Sequence, residues 1–179
     1  LYEGWQEYID KDAPDIYPEE LRYDIDALND VIYADVNLAV NLAALAGTQE
    51  EYEYYYDLVF DRLDWLEERL STRRYLMGDT ITSPDIRLFV TLTRFDLVFY
   101  QKYLLNKKRL VDYPNLWNYA KDLFSNPAFG GNTDFNSMRL RFYYVDHTPF
   151  ADMPRLMPKG PDDSRWLEPN DREEKFSKK

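Results

Sequence analysis

Leu21, Ile25, Leu28, Ile32, Val36, Val40 and Ala43 recur three or four residues apart, the spacing that lines one face of an α-helix. Pro18-Glu19-Glu20 stands where such a helix begins, with Pro preset for the first turn and acids beside the positive end of the helix dipole. Gly47 suits the residue just past its end. The pattern predicts a helix over 18–46, a rod of roughly 42 Å at about 1.5 Å per residue. Thr48-Gln49-Glu50-Glu51 is a capping box, and behind it Tyr52, Tyr55, Val59, Leu63, Leu66 and Leu70 form the stripe of a second helix. Two long helices with almost no loop between them must pair antiparallel. In Ile81-Thr82-Ser83-Pro84-Asp85-Ile86, Thr82 caps a third helix, Asp85 reaches back to it and Ile81 packs on Ile86. That helix, over 83–100, carries Ile86, Phe89, Val90, Thr93 and Leu97 on a face expected to be deeply buried. Tyr113-Pro114 opens another helix that ends near Asn126-Pro127, and a last one is expected over 134–145, through the RLRFYY run. From His147 onward, prolines 149, 154, 158, 161 and 169 and a dense charge mix disfavour regular structure, and EEKFSKK at the end should fray. No segment alternates with period two. The class is all-α, a helical bundle built on a long antiparallel pair, with an irregular C-terminal tail.

Composition narrows the chemistry. With no Cys there is no disulfide, thiolate nucleophile or zinc–thiolate site, and a single His excludes metal sites built on several imidazoles. The six glycines form neither phosphate-cradling spacing. The 33 acidic against 22 basic residues, a net charge of -11, argue against nucleic acid or an anionic membrane as partner. No stretch is apolar enough to span a bilayer or to serve as a signal-peptide core, so the cytosol is the simplest compartment. A di-iron bundle would need Glu-x-x-His, but the residue three before His147 is Tyr144. A Ser-His-Asp triad would hang on His147 in a proline-rich tail, where a surface histidine is the simpler account. No carboxylate pair stands out for glycosidase chemistry.

Asp85 and Thr82 are expected to be structural capping residues rather than catalytic ones. Their pattern nevertheless opens the buried core helix of the glutathione transferase C-terminal domain. The stretch RRYLMGDTITSPDIRLFVTLTRFD, with YPEELRYDIDALNDVIYADVN before it and Asp112-Tyr113-Pro114-Asn115-Leu116 after it, is similar to the helical half of the glutathionyl-hydroquinone reductases. These form the Xi class of the glutathione transferases. Tyr143-Tyr144-x-x-His147 and Gly160-Pro161 extend the resemblance, which covers roughly residues 17–161. It implies three regions: 1–16, a linker from a thioredoxin-like domain; 17–147, the helical domain; and 148–179, the Pro-rich and charged tail.

In that family the thioredoxin-like domain supplies a Cys-Pro-Trp nucleophile and most contacts to glutathione, the co-substrate. The resemblance therefore implies that this chain is the acceptor side of a transferase or reductase, inactive alone. Its expected partners are a small aromatic or quinone-type electrophile, its own thioredoxin-like domain and, in a homodimer, a second copy. Family tyrosines orient and protonate the aromatic leaving group, a role open to a phenol at neutral pH. One such tyrosine aligns here with Asn41, a departure. The other belongs to the pair matched by Tyr143 and Tyr144, either of which could face the cleft. Asn37 and Asn41, one helical turn apart, could line a polar patch for substrate. The expected site is a cleft between Asn37 and Asn41 on the first helix and Tyr143 and Tyr144 on the last. A non-enzymatic interaction scaffold of the same fold is the alternative.

Overall fold

The computed structural model describes residues 13–144 and 156–177. A 3-10 turn at Glu19–Leu21 leads into α1 (Arg22–Ile32), which runs through a π turn at Tyr33–Leu38 into α2 (Ala39–Leu45). The expected long rod is therefore one continuous helix with a wide turn in its middle. α3 (Gln49–Ser71) starts where the capping box places it: the Thr48 hydroxyl accepts the Glu51 N–H at 3.1 Å, and Glu51 Oε2 accepts the Gly47 N–H at 2.8 Å. The hairpin forms as expected, with Val36, Val40 and Ala43 buried on one side and Val59, Leu63 and Leu66 on the other. Arg62 clasps Asp35 across it, with Nη2 2.6 Å and Nε 3.0 Å from one carboxylate oxygen.

The core helix comprises α4 (Ser83–Arg94), a π turn at Phe95–Phe99 and the short α5 (Tyr100–Lys102). Leu88, Leu92, Phe95 and Val98 are its most enclosed residues. It runs parallel to the first helix, because Asn29 meets Ser83 and Asn37 meets Thr91. α6 (Pro114–Ser125) covers it from the far side, followed by α7 (Pro127–Gly130) and α8 (Phe135–Arg139), which continues as a π turn at Leu140–Tyr144. Among the described residues no strand occurs, and no helix is long and apolar enough to cross a membrane.

The core helix is fixed at its start by Asp85, which is wholly buried. Its Oδ2 accepts the Thr82 N–H at 2.8 Å and the Thr82 hydroxyl at 3.1 Å; its Oδ1 accepts the Leu76 N–H at 2.9 Å and the Tyr119 hydroxyl at 2.8 Å. The expected capping pair is present, and it does more than cap. It ties the core helix to α6 and to the turn at 75–78, where Gly78 at φ +126° takes a conformation that a side chain would oppose.

Two expectations fail. Ile86 and Val90, assigned to a buried face, are 39% and 46% exposed. The apolar stripe exists, but nothing among the described residues covers its outer edge. The chain end is also more ordered than its composition implied, with a 3-10 turn at Asp163–Leu167 and α9 (Arg172–Phe176). Arg172 is wholly buried and donates to the carbonyls of Leu70 (2.8 Å), Arg74 (2.7 Å) and Arg73, using the unsatisfied C-terminal end of α3 as its socket. One cation thus anchors a segment that sequence composition assigned to fraying.

Candidate functional site

Each of the two sequence-predicted site segments lies on or beside a π turn, and a third π turn in the core helix lies between them. Such wide turns add one residue to the helical repeat, redirect side chains and are frequent at functional sites. Asn37 sits in the first. Its amide nitrogen donates to Thr91 Oγ1 at 2.6 Å and to the Arg87 carbonyl at 3.1 Å, which uses both of its hydrogens on the core helix. Asn41, one turn on and exposed, donates to the Asn37 carbonyl at 2.8 Å. Asn37 is therefore a strut between helices, while Asn41 lies exposed one turn on.

Tyr143 and Tyr144 sit in the last π turn and diverge. The Tyr143 hydroxyl donates to the Leu97 carbonyl at 2.9 Å, and its ring lies 5.7 Å from the Lys102 ammonium, which itself donates to the Phe142 carbonyl. Burial raises the Tyr143 pKa, so the phenol holds its proton. Tyr144 is 45% exposed. The asparagine pair is joined directly, and Tyr143 reaches the same core helix further along, at Leu97. Thr82 and Asp85 lie at the other end of that helix, with a purely structural set of partners.

Among the described residues, a larger and a smaller cavity open on the core helix, and Asn37, Asn41, Tyr143 and Tyr144 line neither of these two. The larger, about 500 Å³, lies between the core helix and the returning tail at 158–166, against Trp117, Phe135 and Trp166. Most of its charged groups are already engaged. Asp96 accepts the N–H groups of Leu110 and Val111, Arg109 forks onto Asp112, Arg165 pairs with Glu168, and Asp163 takes both ends of Arg139. The smaller is a groove of about 250 Å³ lined by Ile86, Phe89, Val90, Phe129 and Met138, with Arg94 in its wall.

Arg94-Phe95-Asp96 thus divides its work: Phe95 fills the core, Asp96 caps the 110–112 turn, and Arg94 serves the groove. In the sequence this tripeptide is one part of a longer pattern, and the groove is not visible in it. An arginine inside an otherwise apolar helix face was the available signal. Arg87 was missed as well. It stacks on Tyr33, with its guanidinium 5.6 Å from the ring centre, and donates to Asn29 Oδ1 at 3.2 Å, so it zips the first helix to the core helix.

A hairpin of long helices, a parallel core helix with a buried capping aspartate and a covering α6 together define a class. Residues 49–122 match the family model of the glutathione S-transferase C-terminal domain. Within the class, its relatives are glutathionyl-hydroquinone reductases and Xi-class glutathione transferases. It is 39% identical over 147 residues to the glutathionyl-hydroquinone reductase PcpF of Sphingobium chlorophenolicum, an alignment covering 82% of this chain and 46% of that protein. Among solved structures it resembles a glutathione transferase from Gordonia bronchialis, with 44% identity, a TM-score of 0.89 and coverage of 97% of this chain and 54% of the other. It also resembles the glutathione-bound structure of YqjG, a glutathione transferase homolog from Escherichia coli K-12. There the identity is 34%, the TM-score 0.87 and the coverage 96% and 55%. The chain spans about half the length of the curated relatives it matches.

Proposed function

We propose that this chain forms the acceptor-substrate side of a glutathione-dependent transferase or reductase of the glutathionyl-hydroquinone reductase type. The nucleophilic cysteine and most glutathione contacts then belong to a thioredoxin-like domain seated on the face of the first helix and core helix. The observation that carries this reading is the uncovered stripe of the core helix. Ile86 and Val90 lie one turn apart, 39% and 46% exposed, on a helix otherwise sunk in the core. An apolar edge on a central helix is what a second domain would bury.

In the reaction this reading implies, a cysteine thiolate attacks the glutathione sulfur of a glutathionylated hydroquinone. The sulfur–carbon bond breaks, a disulfide forms, and the aromatic carbon takes a proton. Tyr143 is the phenol we assign to that proton, because burial keeps it protonated and its hydroxyl already lies beside the core helix. Asn41, at the position of a family tyrosine, can orient a substrate hydroxyl but has no comparable proton to give. Acting alone, the chain has no thiol with which to start the exchange. Assembly as a dimer and a cytosolic location belong to the same proposal.

The Asn41 replacement favours a second reading, a non-enzymatic scaffold of the same fold. The coding sequence upstream of Leu1 separates the two. A thioredoxin-like unit with Cys-Pro-Trp supports the enzyme, whereas an unrelated or absent upstream domain supports the scaffold.

A further inference from the structure

The larger cavity on the core helix lies between two walls that are each fixed in place. Its inner wall is the core helix, where Leu92 and Leu97 are buried and Asp96 accepts the N–H groups of Leu110 and Val111. Its outer wall is the returning tail at 158–166, which is pinned to other elements. Asp163 takes both ends of the Arg139 guanidinium at 2.6 Å, and Arg139 also donates to the Pro161 carbonyl at 3.2 Å. Trp166 is buried against Trp117, ring centres 4.9 Å apart, and Lys121 donates to the Pro169 carbonyl at 2.7 Å. From the core helix to the tail, Gln101 Nε2 reaches the Gly160 carbonyl at 3.4 Å, a long hydrogen bond. Protein interiors normally close until few voids exceed a water molecule. Here about 500 Å³ stays open because its walls are held apart, a volume in the range of small-molecule sites.

The polar groups in the wall decide what the cavity takes. Asp96, Arg109, Asp163 and Arg165 are spent on partners within the fold, and Asp162 accepts the Ser164 N–H at 3.0 Å. Lys159 is exposed and stays solvated. A charged ligand would shed its hydration without gaining a buried counter-ion, which disfavours it. Tyr100 differs: it is half-buried in the wall, and among the described residues its hydroxyl has no hydrogen-bond partner. A phenol can both donate and accept, so it suits an uncharged hydroxyl or carbonyl. The apolar wall comes from Leu92, Leu97, Val111, Trp117, Phe135 and Trp166, with the Phe135 and Trp166 ring centres 5.5 Å apart. We propose that this cavity binds a small uncharged aromatic molecule, its ring against Phe135 and Trp166 and its one polar group on Tyr100. Asn37, Asn41, Tyr143 and Tyr144 line none of it, and neither do Ile86 and Val90, the edge assigned to a second domain. The site needs no thiol and no second domain, so it stands or falls separately from the reductase reading.

The test is titration of the full chain with 2-naphthol, a phenol uncharged at neutral pH, and with 2-naphthoate, its charged counterpart. Calorimetry gives the affinities, and the indole N–H resonances of Trp117 and Trp166 report the place. The expected result is saturable binding of naphthol that shifts both of these signals and leaves that of Trp65, on α3, where it was. Naphthoate should bind at least about tenfold more weakly, the effect of stripping water from an unpaired charge. Tyr100→Phe should weaken naphthol by about two- to tenfold, the share of one hydrogen bond, and Val111→Trp, which fills the cavity, should abolish binding. Val90→Ser, on the exposed edge, should leave it unchanged. No saturable binding at about millimolar naphthol, naphthoate binding as tightly as naphthol, or unchanged affinity in either Tyr100→Phe or Val111→Trp would each overturn the proposal. So would loss of binding in Val90→Ser, which would move the ligand to that edge.

Discussion

Asp85 shows how much one side chain can hold. It accepts from two backbone N–H groups and two hydroxyls, all within 3.1 Å, and is itself shielded from solvent. A helix cap alone is worth about 1 kcal/mol. Asp85→Ala instead strands several buried donors together, so we expect a loss of at least about 3 kcal/mol, read as a fall in the urea midpoint at unchanged slope. A loss near 1 kcal/mol would reduce the residue to a simple cap. Its ionisation supplies a second check. Burial raises its pKa above the ordinary carboxylate value, while the four donors pull it back. A carboxyl raised in the fold contributes most below its unfolded pKa, and that contribution is lost as pH rises through the folded value. Asp85→Asn should therefore cost more at pH 4 than at pH 7. A greater cost at pH 7 would mean that the donors outweigh burial and hold the folded value low.

At the scale of elements, the helices were legible because apolar spacing and caps agree along most of the chain. Thr48 with Glu51, Thr82 with Asp85 and Pro114 each mark a helix start that the structure keeps. The π turns were not legible, since one extra residue barely disturbs a run such as Val36, Val40 and Ala43. Yet the turns at 33–38 and 140–144 carry Asn37, Tyr143 and Tyr144, and they aim these side chains. Nor could spacing show which edge of the core-helix stripe lacks a cover: Ile86 and Val90 look like core residues in any one-dimensional pattern. The tail was obscure for another reason. Its buried anchor, Arg172, reaches carbonyls some hundred residues away, and among so many charges no local signal marks it as buried. Arg172→Met keeps the bulk and removes the donors to three carbonyls. It should free α9, exposing the segment 156–171 to limited proteolysis and lowering stability by about 2–4 kcal/mol. Unchanged cleavage and midpoint would mean that Trp166, the Arg139–Asp163 pair and the Lys121 bond to the Pro169 carbonyl hold the tail without it.

For the whole molecule, the hairpin, core helix and α6 make a framework that presents one edge of its central helix outward, with Asn37 bonded to that helix at Arg87 and Thr91 and Tyr143 further along it, at Leu97. The account treats this edge as the seat of a thiol-bearing domain and the helical half as the source of acceptor binding and proton supply. The fold class followed from periodicity; the division of labour follows from which polar groups are spent on structure and which are left over. Asn37, Asp85 and Asp96 are spent. The decisive measurement joins this chain to a thioredoxin-like domain carrying Cys-Pro-Trp and follows release of hydroquinone from its glutathionyl adduct. The account predicts turnover by the joined protein and none by the chain alone. Tyr143→Phe should slow it by about 10²-fold or more, as loss of a general acid does, and Asn41→Tyr should raise it. A folded two-domain protein with no turnover, or one whose Tyr143→Phe variant matches the starting rate, would contradict it.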